Sequence, residues 1–160
     1  MAQTSPASPS GPPVPSAPVV PQKPWKILLI DQSPDFAQYL RTLLQDNAQF
    51  EFSEWVDSGT GWINVWRTVK PDFLFVSLEL SKRDGLFCVE KMRSMDPQII
   101  IVFMHDYTGA MANSVELKAQ ALGAAAVLQR PFTNERFKVV LKRCAQLKGK
   151  IVSIKRLKFG

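Results

Sequence analysis

Short apolar runs alternate along the chain with longer stretches whose apolar residues recur at helical spacing. Ile27–Ile30 and Ile99–Met104 are continuous apolar runs, typical of strands buried on both faces of a sheet. Phe50–Val56 starts by alternating, as an outer strand does. The remaining predicted strands are Phe73–Leu78 and Ala124–Gln129. Five such strand–helix units predict an α/β fold, a doubly wound parallel sheet with helices on both faces.

The helices between these strands carry recognisable start and stop signals. Ser33 is placed to cap the first helix with Pro34 at its first position, and Thr133 is placed to cap the last. Gly123 fits the end of the fourth helix. The second, third and fourth helices are predicted at 58–69, 86–95 and 110–122.

The two ends of the chain differ in composition from the middle. Residues 1–24 hold eight of the twelve prolines, which predicts a disordered, partly polyproline-II tail that serves as a linker or as a docking peptide. The folded domain is expected over 25–147. A basic extension is expected over 148–160.

The net positive charge of the chain is concentrated in its C-terminal part. Residues 130–160 contain ten Lys or Arg and one acid, whereas residues 1–129 carry a net charge of −3. Three interpretations of the extension stay open: an extra strand or docking segment, a peptide for an acidic partner, or a contact with nucleic acid phosphates. Its apolar content favours the first two, so a nucleic acid partner is the less favoured alternative.

Neither cysteines nor apolar runs point to secretion or to a membrane. Cys88 and Cys144 lack metal-site spacing and are predicted to be buried free thiols. No apolar run approaches the ~18 residues of a membrane span, and no signal peptide opens the chain. We therefore expect a cytoplasmic protein with no membrane partner.

Candidate chemistry falls at the carboxyl ends of the predicted strands, where ligands bind in open parallel sheets. Those ends are Asp31-Gln32, Ser77, Met104-His105 and Gln129-Arg130.

These strand ends, in this order, resemble a response-regulator receiver domain of the CheY-like family over about residues 26–147. The residues that carry the resemblance are Ile30-Asp31, the Asp84-Gly85 turn, and Gly123 followed by Arg130-Pro131-Phe132. The resemblance implies a sheet in the order 2-1-3-4-5. It also implies a pocket in which two acids and a phosphoacceptor aspartate bind Mg²⁺, with a lysine, a Ser/Thr and an aromatic residue as partners.

The sequence departs from that pattern at nearly every pocket position. Asp31 is kept, but the second acid is Gln32 and the phosphoacceptor is Ser77. The hydroxyl position falls on Met104, or on Phe103 if the strand slips by one residue. The aromatic relay position is Val127 and the lysine is Arg130, which keeps the charge but not the compact ammonium group.

With one acid left, Mg²⁺ is not expected to bind specifically, and no cofactor is expected. We hypothesise that Asp31 and Arg130 lie on the same rim and that Arg130 fills the space of the metal. A metal site from Asp31, Glu79 and His105 is disfavoured. Ser77 as a nucleophile would need His105 as its base, so no enzymatic activity is expected.

The resemblance also implies a surface for partners near the fourth helix, fifth strand and fifth helix. The candidate interaction residues are His105, Tyr107, Met111, Lys138, Lys142 and Lys150. The prediction is a stand-alone, phosphorylation-independent pseudo-receiver in bacterial signalling that binds a protein partner or a second copy of itself. The alternatives are a receiver phosphorylated at a non-standard residue and a basic nucleic-acid-binding accessory protein.

Overall fold

The computed structural model describes residues 23–57, 61–79 and 85–159, so most of the predicted tail at 1–24 lies outside the described residues. Within them the strands are β1 (Trp25–Ile30), β2 (Phe50–Val56), β3 (Phe73–Ser77), β4 (Ile100–His105) and β5 (Ala126–Gln129). The helices are α1 (Pro34–Leu44), α2 (Trp62–Val69), α3 (Gly85–Met95), α4 (Gly109–Ala121) and α5 (Asn134–Phe159).

The five strands form one parallel sheet in the order β2-β1-β3-β4-β5, which confirms the predicted fold class. The register aligns Ser77 with Met104 and His105 with Gln129. The carboxyl ends of four neighbouring strands therefore meet at one edge of the sheet, which we call the carboxyl edge.

Alternate residues of each strand enter two separate cores, because successive side chains of a strand point to opposite faces. Leu29 and Phe75 pack in the core beneath α1 and α5. Leu28 and Val76 pack in the core beneath α2, α3 and α4. Burial of both faces explains why the central strands are continuous apolar runs in the sequence.

The predicted caps are present. The Ser33 hydroxyl accepts a hydrogen bond from the amide of Phe36 at 3.0 Å, and Pro34 is the first helical residue of α1. The Thr133 hydroxyl accepts one from the amide of Arg136 at 3.1 Å. Gly123 has a φ of +77°, the left-handed conformation that favours glycine.

Trp62 in α2 is 1% exposed and belongs to the core under that helix. The extra strand considered for the basic extension is instead helix, since α5 continues unbroken past Leu147 to Phe159.

The extension is held against the amino edge of the sheet, opposite the carboxyl edge. Lys148 Nζ lies 2.8 Å from Asp72 Oδ1, just before β3. Ile151 packs against the core that contains Trp25 and Phe50. Among the described residues, no helix has the length and apolarity needed to cross a bilayer.

Candidate functional site: the degenerate pocket at the carboxyl edge

Arg130, which directly follows β5, lies at the centre of the carboxyl edge. Its Nη1 atom donates to Asp31 Oδ2 at 2.5 Å, and its Nη2 atom donates to the Ser77 hydroxyl at 3.1 Å. Nε and Nη2 donate to the two carboxylate oxygens of Asp106 at 2.8 and 3.2 Å. One guanidinium thus joins the ends of β1, β3 and β4, and the hypothesised Asp31–Arg130 ion pair is present.

The surroundings of Arg130 favour its charged form. Burial alone would lower the pKa of its guanidinium, but the charge of Asp31 and the hydrogen bonds with Asp106 and Asp31 outweigh it, so the pKa is raised. The guanidinium carbon also lies 4.9 Å from the centre of the Phe36 ring, a cation–π contact. The side chain is 15% exposed and that of Asp31 only 3%.

Asp31 is fixed by the local structure at the start of α1. Its Oδ1 accepts the amide of Ser33 at 2.7 Å, so both carboxylate oxygens have partners. The indole of Trp55 in β2 donates to the backbone carbonyl of Asp31 at 2.7 Å. The carboxylate that the receiver family uses for a metal is therefore already occupied on both sides by protein groups.

Ser77 ends β3 and is 1% exposed. Besides accepting from Arg130, its hydroxyl lies 3.5 Å from the backbone carbonyl of Glu79, to which it can donate. The backbone beside it is tightly packed: a Cβ added to Gly85 would lie 2.2 Å from the Ser77 carbonyl oxygen. The Asp84-Gly85 signal in the sequence therefore reflects a position where only glycine fits without a backbone shift.

Gln32 and Glu79 face each other across the edge. The Gln32 side-chain amide donates to the Glu79 backbone carbonyl at 3.0 Å, which ties β1 to the segment after β3. Partial burial, then the charge of Glu79 and its hydrogen bond, raise the pKa of the Tyr107 phenol. The Glu79 carboxylate therefore lies close to the Tyr107 phenol.

The positions expected to carry the hydroxyl and aromatic relays are both apolar and packed. Met104 lies beside Ser77 in the sheet and is fully buried in the core under α1 and α5. Val127 packs against the other core. The alternative position, Phe103, pairs with Val76 one residue further back.

His105 was wrongly assigned to the interaction surface. It is the last residue of β4 and has no exposed area. Its Nδ1 atom accepts the amide of Tyr107 at 3.1 Å, and its Nε2 atom lies 3.5 Å from Glu116 in α4. A buried imidazole held in this way is a structural residue of the β4–α4 connection.

The other five candidate surface residues are accessible to different degrees. Met111 is 56% exposed at the start of α4, and Tyr107 is half-buried. The three lysines, at positions 138, 142 and 150, are exposed along α5. Met111 lies at the start of α4, whereas Lys150 follows Lys148 in the part of α5 at the amino edge, so the four helical residues do not form one surface and are separate from the hydrogen bonds of Arg130.

Asp106 is the site residue that the sequence analysis missed. It follows β4 directly and supplies both carboxylate oxygens to Arg130. The sequence offered one clue to Asp106, since it is the first acid after a strand that ends at the carboxyl edge. In the described ranges, no group of three or more His, Cys, Asp or Glu side chains is arranged to hold a metal ion.

Five parallel strands in this order are the arrangement of CheY-like receiver proteins, and here an ion pair of Asp31 and Arg130 lies at the carboxyl edge. The model of the response regulator receiver domain family matches residues 27–142, so the chain belongs to that family, which acts in two-component signalling.

Solved structures of receiver domains share the fold. A signal receiver domain of a putative LuxO repressor protein from Vibrio parahaemolyticus superposes with a TM-score of 0.71 at 17% identity, covering 86% of this chain and 98% of that one. A CheY-like receiver domain protein from Methanospirillum hungatei gives 0.69 at 16% identity, covering 80% and 98%.

Curated relatives are longer proteins. The receiver-like part is 29% identical over 110 residues to a protein-glutamate methylesterase/protein-glutamine glutaminase from Idiomarina loihiensis, covering 68% of this chain and 28% of that protein. It is 26% identical over 130 residues to the sensory transduction protein LytT of Bacillus subtilis, covering 79% and 51%. This chain therefore spans between about a quarter and a half of these relatives.

Proposed function

We propose that this receiver domain works as a phosphorylation-independent protein-interaction module. The observation that carries the proposal is the position of Arg130, whose guanidinium bonds to Asp31, Ser77 and Asp106 at once. A phosphorylation switch would leave these strand ends free for metal and phosphate. Here Arg130, at the end of β5, hydrogen-bonds to the ends of β1, β3 and β4. In this role the domain carries out no catalytic step.

Ser77 is poorly suited to accept a phosphoryl group. A serine hydroxyl is a weak nucleophile unless a base removes its proton. His105 is the candidate base from the sequence, but its Nδ1 atom is engaged by the amide of Tyr107 and its Nε2 atom faces Glu116. Arg130 donates to the Ser77 oxygen, which further lowers its nucleophilicity.

The donor set also does not fit Mg²⁺. This ion demands near-octahedral oxygen ligands and usually binds through one or two carboxylates. Both oxygens of Asp31 have protein partners, and the Gln32 amide nitrogen is directed at a carbonyl. Arg130 places a positive charge against the only acid at the end of β1.

Phosphodonor treatment tests the proposal directly. After incubation with acetyl phosphate and Mg²⁺, intact mass spectrometry is expected to show no added phosphoryl group. The Ser77→Asp variant is expected to stay unmodified as well, because Gln32, Arg130 and Met104 are unchanged. The triple variant Gln32→Asp/Ser77→Asp/Arg130→Lys rebuilds the acids and the lysine and provides the matched comparison. An adduct mapped to the wild-type pocket would overturn the proposal.

Metal binding can be followed through Trp55, because its indole bonds to the carbonyl of Asp31. Titration with Mg²⁺ is expected to give no saturable change in tryptophan fluorescence. The Trp55→Phe variant provides the blank for the other tryptophans. A saturable wild-type response that is lost in Asp31→Asn would show a specific site and contradict this part of the proposal.

We place the partner surface on the exposed side of α4 and α5. A groove of about 390 Å³ between these helices and β5 is lined by Arg136, Val139 and Arg143, and Val139 is 56% exposed. Among the described residues of α5, Lys148 is the one cation in an ion pair, so the other exposed cations favour an acidic protein partner. Affinity purification with the wild-type chain and with Lys138→Gln/Lys142→Gln should recover that partner with the wild type only. Met111→Ala tests the adjoining part of α4 in the same experiment.

A further inference from the structure

The N-terminal segment has a regular proline spacing that the proposed function does not explain. Prolines occur at every third position from residue 6 to residue 24, with one additional proline at position 13. Polyproline II has three residues per turn, so prolines spaced in this way share one edge of the helix. A simple linker does not require prolines at every third position. The spacing instead suits a segment that presents one continuous apolar ridge.

An aromatic groove on the domain matches such a ridge. It has a volume of about 540 Å³ and lies between the start of α1 and the loop after β5. The rings of Phe36, Tyr39 and Phe132 line it with centroids 6.1 Å apart in each pair, together with Pro131. Tyr39 is 40% exposed, which leaves much of a large aromatic side chain uncovered. Aromatic-lined grooves are the surfaces that bind polyproline-II segments.

The charges in the groove favour a neutral occupant. Arg130 and Asp106 contribute to its wall, but the two side chains are paired with each other, and Arg130 also pairs with Asp31. Residues 1–22 contain no charged side chain. The segment therefore brings apolar surface to the groove without competing for those ion pairs.

The segment is also long enough to reach the groove. It joins the domain at the amino end of β1, and the groove lies at the carboxyl end. β1 has six residues and is ~20 Å long. About seven residues of polyproline II at ~3.1 Å each cover that distance. Starting from Pro24, the prolines from Pro15 back to Pro6 then fall within reach.

We propose that the proline ridge formed by residues 6–15 docks into the aromatic groove of Phe36, Tyr39 and Phe132 in its own chain. The docked segment covers Tyr39 and the exposed side of the Arg130 network. It leaves the α4–α5 surface open, so docking and partner binding at that surface can be tested separately.

A spin label on the segment tests this docking in the full chain. Ser10→Cys places one thiol between prolines, away from the ridge. The native thiols do not compete, because both cysteines are buried and burial raises the pKa of Cys144 to about 12. In NMR spectra, the label is expected to broaden the amide signals of Tyr39 and Phe132, while those of α4 and of the exposed end of α5 stay sharp.

Three comparisons make the test decisive. Replacing Pro6, Pro9, Pro12 and Pro15 by alanine in the spin-labelled chain should abolish the selective broadening, and so should Tyr39→Ala. Leu117→Ala, an exposed apolar position on α4, should leave it unchanged. Uniform broadening, or broadening confined to α4 and α5, would overturn the proposal. A mixed sample of spin-labelled chains without isotopes and isotope-labelled chains without a spin label detects docking between copies. Broadening that appears only in that mixed sample would assign the groove to the segment of a second chain and would also overturn the proposal.

Discussion

The two edges of the sheet each contain an aspartate that accepts one backbone amide and one cation, but in different surroundings. At the carboxyl edge, Asp31 accepts from the amide of Ser33 and from Arg130, and its side chain is 3% exposed. At the amino edge, Asp72 accepts from the amide of Lys26 at 2.8 Å and from Lys148, and its side chain is 26% exposed. The same pairing scheme therefore occurs once in a dry site and once in a partly hydrated one.

This difference explains which pair matters for the architecture. Removing the cation from a buried pair leaves an uncompensated charge, whereas a partly exposed carboxylate turns to water. Arg130 also has a planar fork that satisfies three partners, whereas Lys148 is a point charge with one partner. The carboxyl edge is therefore fixed in one arrangement, and the amino edge only tethers the end of a helix.

The sharpest way to break the comparison is Arg130→Met. It keeps much of the side-chain volume but leaves Asp31 buried and without its cation. We expect the free energy of unfolding to fall by about 3–5 kcal/mol, the range for breaking a buried pair from one side. Urea denaturation followed by tryptophan fluorescence measures the change.

The matched control is the double variant Asp31→Asn/Arg130→Met. It removes both charges, so most of the lost stability should return, while the introduced asparagine side chain keeps an oxygen for the amide of Ser33. A single variant that costs less than about 1 kcal/mol would mean that the pair behaves as a surface pair. The contrast between the edges would then be wrong.

Glycines near the two edges provide a second test. Gly85→Ala places a methyl group against the Ser77 carbonyl, so we expect a loss of about 1–3 kcal/mol from overpacking. Gly149→Ala, next to Lys148 in α5, meets no atom within 4 Å. It should instead stabilise the protein by about 0.5–1 kcal/mol through helix propensity. Thermal unfolding of both variants gives the signs, and a stabilising Gly85→Ala would show that the carboxyl edge is loosely packed.

The sequence predicts the parts of this architecture that follow from strand order. Asp31 and Arg130 could be paired in advance because both end parallel strands, and such ends share an edge. Ser33, Thr133 and Gly123 were identified as caps because each acts on its own local backbone. In these cases a short stretch of residues is sufficient to determine the contact.

The remaining features depend on positions that periodicity does not fix. Asp106 reaches Arg130 from a loop, whose path no periodic pattern describes. His105 was expected in that loop because of its polarity, but β4 pairs one residue further and buries it. α5 continues past Gly149 because the tertiary contacts of Lys148 and Ile151 support the extension.

The smallest expected effect is that of Lys148→Met at the amino edge. Asp72 keeps the amide of Lys26 and gains access to water, so the loss should stay within about 1 kcal/mol and should vanish at high salt. Lys150→Met is the control, since Lys150 is exposed and has no ion-pair partner among the described residues. It should leave the urea midpoint unchanged at both salt concentrations. If Lys148→Met instead costs several kcal/mol at any salt concentration, the amino edge is as tightly bound as the carboxyl edge, and solvent exposure is not what distinguishes the two aspartates.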